Sequence, residues 1–130
     1  MKRTIKFRGW NPKNKCWLYG FYLMNRGQHF IAEEGIQPPG KTWQDFEVLP
    51  DTVGQFTGMV DVDGKDVFEG DVMTNDKGAK WEVVYEDCIG VFHAKECGGR
   101  RIRYIPLVEG RVTGNIHEQT ISEFVPKENT

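Results

Sequence analysis

Val53-Gly54-Gln55-Phe56-Thr57-Gly58-Met59-Val60-Asp61-Val62-Asp63-Gly64-Lys65-Asp66-Val67-Phe68-Glu69-Gly70-Asp71-Val72-Met73 is the stretch on which the fold turns. Its apolar residues come in short, β-branched or aromatic runs, each stopped by glycine or aspartate, which is a strand-and-turn pattern. Asp63-Gly64 predicts a two-residue hairpin turn of type I′, because that turn needs positive φ at both central positions and these residues tolerate it. Gly70-Asp71 interrupts the run again before Val72-Met73, and small barrels turn their corners with such bends.

Downstream the pattern repeats. Asn75-Asp76-Lys77-Gly78 is a turn, Trp81–Tyr85 and Ile89–His93 read as strands, Gly98-Gly99 is a turn, and Arg101–Ile105 alternates polar with apolar. Val112–Glu118 fits a final strand, and Gln119–Val125 has room for one helical turn before Pro126. Upstream, Ile5 and Phe7 alternate with Lys6 and Arg8, predicting a strand that stops at Gly9-Trp10 and the turn-rich Asn11–Lys15. Cys16–Met24 is dense in aromatic strand formers and predicts a hairpin with that first strand, and a third short strand follows at Gln28–Ile31. Pro38-Pro39, flanked by Gly35 and Gly40, marks a linker or long loop over Glu33–Lys41. Short strands with frequent turns read as a barrel or sandwich, so the expected fold is all-β or nearly so. Residues 1–50 form an irregular N-terminal β subdomain and 51–130 a small barrel with a C-terminal tail, as one compact unit overall.

A chain of 130 residues buries roughly two-thirds of its unfolded surface, enough for a core without staples. Apolar runs fall far short of the ~20 residues of a membrane span, and the basic, alternating N-terminus does not read as a signal peptide. Three cysteines, Cys16, Cys88 and Cys97, follow no disulfide-framework spacing. The expected compartment is a reducing one, the cytoplasm. Charge is segregated: residues 1–32 hold seven Lys/Arg and no acid, whereas residues 45–87 hold twelve acids and three Lys. Opposite parts of this kind are complementary to one another, within a monomer or across an oligomer, and the basic part is complementary to a phosphate backbone.

Three stretches together resemble the YopX-like family of uncharacterised phage and prophage proteins. They are Ile5-Lys6-Phe7-Arg8-Gly9-Trp10 with Tyr19 downstream; Gln55-Phe56-Thr57-Gly58-Met59 continuing into Asp63-Gly64-Lys65-Asp66-Val67-Phe68-Glu69-Gly70-Asp71-Val72; and Thr113-Gly114-Asn115-Ile116-His117-Glu118. The central one is the most specific. Gly9 stands where the family pattern has a small residue such as alanine, Met59 replaces leucine, and Phe68 and His117 replace tyrosine-like residues. The resemblance implies a mostly β fold whose irregular N-terminal part leads into an SH3-like barrel; it implies no activity.

The acidic cluster Asp61, Asp63, Asp66, Glu69 and Asp71 offers hard oxygen ligands for Mg²⁺ or Ca²⁺ and, with a metal, phosphodiester chemistry. Its spacing is not that of an EF-hand, and the competing expectation is a turn at Asp63-Gly64 with the other acids on a solvated face and Asp71 accepting backbone N–H bonds. Cys88, His93 and Cys97, completed by Cys16 or His117, are candidate zinc ligands without a paired C-x-x-C. Ser122 is the sole serine and lacks a nucleophile-elbow context. Nucleotide-binding loops are missing, so no catalytic residue and no cofactor is assigned. Lys2, Arg3, Lys6, Arg8, Lys13 and Lys15 alternate with Phe7, Trp10 and Trp17, and Arg100, Arg101 and Arg103 form a second basic patch. Cations beside aromatic planes are how single strands are held, though a half-buried sheet has the same pattern and the pI near 5.9 is low for a nucleic-acid binder. The leading expectation is a non-enzymatic phage or prophage accessory protein acting by binding or self-association, with nucleic-acid binding and metal-dependent hydrolysis as alternatives.

Overall fold

The computed structural model describes residues 4–33, 42–86, 90–96 and 110–118. The fold is mostly β, in antiparallel sheets, as the turn spacing requires. Two compact units divide the chain, one built on Lys6–Gln55 and joined by His117, the other on Phe56–Ile116.

In the first unit β1 (Phe7–Asn11), β2 (Cys16–Asn25) and β3 (Gln28–Ala32) run antiparallel. β2 serves two partners in turn, pairing with β1 through Cys16–Gly20 and with β3 through Phe21–Asn25. Gly54 and Gln55, which open β4 (Gly54–Val60), pair with β1. Because side chains alternate across a strand, Phe7, Cys16, Leu18 and Tyr22 share one face, where they meet Ile31, Val48 and Val53 as this unit's core. Arg8, Trp10, Trp17, Tyr19, Phe21 and Leu23 take the opposite face.

β1 differs from expectation in running through Gly9-Trp10 as far as Asn11. The reason is what those residues touch. Asn11 is fully buried; its Nδ2 donates to the carbonyls of Gln44 (3.2 Å) and Glu47 (2.8 Å), and its Oδ1 accepts the Asn14 N–H at 2.6 Å. One side chain thus closes the turn and ties the 44–47 segment to β1. That segment lies along β3, where Ile31 N–H donates to the Phe46 carbonyl and Val48 N–H to the His29 carbonyl, both at 2.9 Å. Val48 then fills the space over Gly9, where an added Cβ would sit 2.8 Å from the Val48 Cβ. Gly9→Ala, the residue the family pattern favours there, is accordingly expected to destabilise this chain by about 1–3 kcal/mol through overpacking. Urea unfolding measures it, and a variant as stable as the parent would refute the Val48 contact as its cause.

The second unit contains the rest of β4 and β5 (Asp66–Phe68), β6 (Asp71–Thr74), β7 (Lys80–Glu86), β8 (Val91–Glu96) and β9 (Arg111–Asn115). β4 pairs with β5, and the last four form a sheet in the order β8-β7-β6-β9. Val67, Met73, Trp81, Val83 and Ala94 are its buried core, with Ala79, Phe92 and Val112 packed against them.

The turn at Asp63-Gly64 is a hairpin turn of a different type from the one expected. Only Gly64 has positive φ (+81°), and the loop closes through Gly64 N–H to the Asp61 carbonyl and Asp61 N–H to the Lys65 carbonyl. That is the three-residue loop with a left-handed glycine. A two-residue turn with both φ positive occurs instead at Arg26 (+53°) and Gly27 (+78°), between β2 and β3. The expected linker, apart from Glu33, the alternating Arg101–Ile105 and the helical turn at Gln119–Val125 lie outside the described residues.

Candidate functional site

The residues that carry the family resemblance serve backbone geometry. Thr57 Oγ1 donates to the Val67 carbonyl at 2.8 Å and accepts the Met59 N–H at 3.2 Å, and Gly58 has φ +87°, where the β4–β5 register shifts. This is a bulge stitched by a hydroxyl. At the other end of β5, Asp71 Oδ2 accepts the Phe68 N–H at 2.7 Å, and Gly70 (φ +91°) donates its N–H to Val83 and accepts the Ile116 N–H on its carbonyl. Asp71 pairs with Asn115, so the central and C-terminal motifs meet at one bend.

The acidic cluster does not gather. Asp61 is buried, against the expectation of a solvated acidic face, because its oxygens accept backbone N–H bonds that would otherwise be unmet, while Asp71, also buried, accepts a backbone N–H as expected. Asp63 is exposed, its Oδ2 3.9 Å from Arg111 Nε, and Asp66 and Glu69 are half-buried. Among the described residues no three His, Cys, Asp or Glu side chains stand close enough to hold a metal ion. His93 is buried, with Nε2 3.3 Å from Glu86 Oε2. Cys16 is a free thiol at the edge of the first unit's core; Cys88, Cys97 and Ser122 lie outside the described residues.

Of the candidate basic residues, the described ones, Lys6, Arg8, Lys13 and Lys15, have different surroundings. Arg8 is buried with its guanidinium 4.7 Å from the Trp17 ring centre, a cation–π contact that offsets part of its desolvation. Lys13 Nζ lies 3.0 Å from Asp45 Oδ1. The Asp45 carboxylate also accepts from the Thr42 N–H and Asn14 Nδ2, and these bonds, the Thr42 one foremost, hold its pKa well below the usual carboxylate range. Lys6 is half-buried and Lys15 exposed. Lys2, Arg3, Arg100, Arg101 and Arg103 lie outside the described residues.

Trp17 is the hub of the cluster that includes Arg8. Trp10 meets it edge-on at 5.6 Å and His117 lies 6.2 Å away. Burial, with the Arg8 charge second, lowers the His117 pKa from 6.5, while Asp51 opposes the shift. A depressed histidine pKa means that the unfolded chain takes up a proton before the folded one, so stability declines as pH falls from 6.5 toward the folded value. His117→Phe is expected to flatten that part of the stability–pH curve. An unchanged slope between pH 7 and 5 in paired urea titrations would reject His117 as the group responsible.

Beyond Trp17 the same face of β2 opens to solvent. Tyr19 is 46% exposed and Phe21 58%, and Leu23 continues the row at the strand repeat of roughly 6.7 Å between same-face residues. Met24, on the opposite face, is 65% exposed. These residues belong to the β2–β3 arm and its approach, whose tip carries Arg26 and which has no acid between Phe7 and Ala32. The density of aromatic strand formers in β2 does not assign its faces; pairing with β1 and β3 decides that Leu18 and Tyr22 face the core and Tyr19 and Phe21 do not.

No curated protein matches the chain. The family profile described as YopX protein matches residues 6–121, spanning all three stretches from Lys6 onward and both units' strands. With its motif residues building the bends that this topology needs, the chain belongs to the YopX protein family.

Proposed function

We propose that this YopX family member is a non-catalytic phage or prophage accessory protein that works in the bacterial cytoplasm by binding, including binding to itself. The observation that carries this is the exposed row on β2, Tyr19, Phe21 and Leu23 with Met24 behind it. Large apolar side chains grouped on one element, flanked by one sign of charge, mark interaction surfaces rather than ordinary solvated strands. Segregated charge supports the self-association arm of the proposal, since the basic residues of 1–32 and the acids of 45–87 are complementary between molecules. For the second unit we infer a small SH3-like barrel, supported by the bulge at Thr57-Gly58 and the bend at Gly70.

Sedimentation of the full chain at low and high salt, with a pull-down from host lysate, tests the function. Association that weakens as salt rises is the expected result. A monomer under both conditions that retains no partner would end this proposal.

A further inference from the structure

Every exposed aromatic ring among the described residues of the first unit stands on one face. Tyr19 and Phe21 follow Trp17 along β2 on the side away from the core. Leu23, next in that row, pairs with Phe30, so Phe30 shares the face. Trp43 meets the Phe30 ring edge-on at 5.6 Å and is itself 63% exposed. At the tip of the arm the row ends in two exposed amides, Asn25 opposite Gln28. Met24 belongs to the other face and has no part in it.

Cations bracket the row. Lys15 immediately precedes β2 and Arg26 immediately follows it, both exposed, and from Thr4 to Ala32 the chain has five Lys/Arg and no acid. Arg8 adds its charge from beside Trp17. The acids of the unit stand mostly apart from the open half of the row. Asp45 is held by Lys13, Asn14 and Thr42, and Glu33, one position past Ala32, falls on the opposite face by alternation. Asp51 and Glu118 lie by His117, at the Trp17 end. Glu47, half-buried opposite Phe30, is the exception.

We infer that this face binds single-stranded nucleic acid, with bases stacked on Phe21, Tyr19 and Trp43 and phosphates drawn to Arg26 and Lys15. This rests on the binding role proposed above and names its partner class. A protein interface is built around a contiguous apolar core, whereas Leu23 is the one exposed aliphatic side chain on this face among the described residues. Separate planar rings with cations at both ends suit a strand instead, because every base has a π-face to stack and every linkage a charge to attract. Duplex is the poorer fit. Its bases are about 3.4 Å apart and stack on one another, so only an unpaired strand can use rings spaced roughly 6.7 Å apart along β2. With two or three phosphate contacts, log K should fall by about 0.7 for each contact per decade of salt, which makes the binding weak and sensitive to ionic strength.

Fluorescence anisotropy of a labelled oligothymidylate of about twelve nucleotides, titrated with the full chain, tests the assignment. Binding at about 50 mM salt that weakens about tenfold at about 200 mM is the expected result. Phe21→Leu keeps apolar bulk but removes the ring and is expected to weaken binding about tenfold, as is Trp43→Leu. Arg26→Asn removes a charge at a position of positive φ that asparagine tolerates, and reduces the salt slope by about 0.7. Met24→Ala, on the opposite face, leaves affinity unchanged. These four side chains are exposed, so circular dichroism and thermal midpoint should match the parent, and ring variants in two separate elements keep the test open if one does not fold.

The competing outcomes are distinct. If the oligonucleotide stays unbound at about 50 mM salt while sedimentation or pull-down finds self-association or a protein partner, the inference falls and the binding role stands. If oligonucleotide, partner and self-association are all missing, both fall. Binding that Phe21→Leu and Trp43→Leu leave intact, or a duplex of the same length bound as tightly as the single strand, means attraction by charge alone and overturns the stacking face. Met24→Ala weakening the binding as much as Phe21→Leu overturns it too.

Discussion

Gly20→Ala is expected to cost about 3 kcal/mol or more and to loosen the β2–β3 arm. Gly20 has φ +156°, and a Cβ there would lie 2.2 Å from the Ala32 carbonyl oxygen and 2.9 Å from its carbon. The obstacle is backbone, so no side-chain rotation relieves it. Gly20 is also the last residue of β2 that pairs with β1, immediately before pairing passes to β3 at Phe21. Moving the Ala32 carbonyl away therefore opens the end of the β2–β3 ladder, and Ile31, fully buried in the first unit's core, is next in line. Urea unfolding should report the loss, and limited proteolysis should cut within 21–32 faster than in the parent. A Gly20→Ala protein within 0.5 kcal/mol of the parent would show that the strand can shift at little cost, and the geometric basis would fail.

What the sequence made legible was the rhythm of strands and turns. Cys16–Met24 and Gln28–Ile31 were expected as strands and are β2 and β3, and Trp81–Tyr85 lies within β7. Alternation and turn residues are local signals, and they survive folding. The errors share a different cause. Asn11 looked like a turn residue, yet it ends β1 because its side chain finds the Gln44 and Glu47 carbonyls, more than thirty positions away. Arg8 looked like the solvated side of an alternating strand, but the face it occupies is covered near Trp17 by Trp10 and His117. Asp63-Gly64 satisfied the requirement for a type I′ turn, and Asp61 overrode it by capping the loop from two residues upstream. Arg26-Gly27 does adopt positive φ at both positions, although arginine seldom does so, and composition does not announce it. The candidate sites suffered most. Clusters of acids or cations in sequence are neighbours along the chain, whereas ligation needs neighbours in space, and Asp61 and Asp71 here bind different backbone segments while Asp63 lies against Arg111.

Asp61 gives the clearest case of such a displaced role, and removing it should be the second large effect. Its Oδ1 accepts the N–H groups of Asp63 (2.9 Å) and Lys65 (2.8 Å), and its Oδ2 accepts the Val112 N–H at 2.9 Å. One carboxylate thus closes the hairpin loop and fastens it to β9, fifty-one positions along the chain. Asp61→Ala leaves those donors without their acceptor in a buried site and is expected to cost about 3 kcal/mol, since bonds to a charged acceptor are worth about 1.5–3 kcal/mol each and water repays part of the loss. Asp61→Asn separates the two roles. Its single oxygen can keep the loop bonds only by turning its NH₂ toward the Val112 N–H, so it should fall between Ala and the parent, with β9 rather than the hairpin loosened. Burial raises the Asp61 pKa, but the Val112, Lys65 and Asp63 N–H bonds, aided by the Lys65 charge, outweigh it and leave the pKa lowered from 3.8. Stability from this carboxylate is therefore fully present above that value and lost as pH falls through the lower folded one. The gap between parent and Asp61→Asn should be constant from pH 7 to 5 and narrow below pH 3.8, as the parent's carboxyl takes up its proton. Amide exchange at Val112 and Lys65 supplies the local readout. If exchange is no faster at Val112 in the Asn variant, or if the gap is the same at pH 3 as at pH 7, the charged carboxylate is not what holds the hairpin to β9.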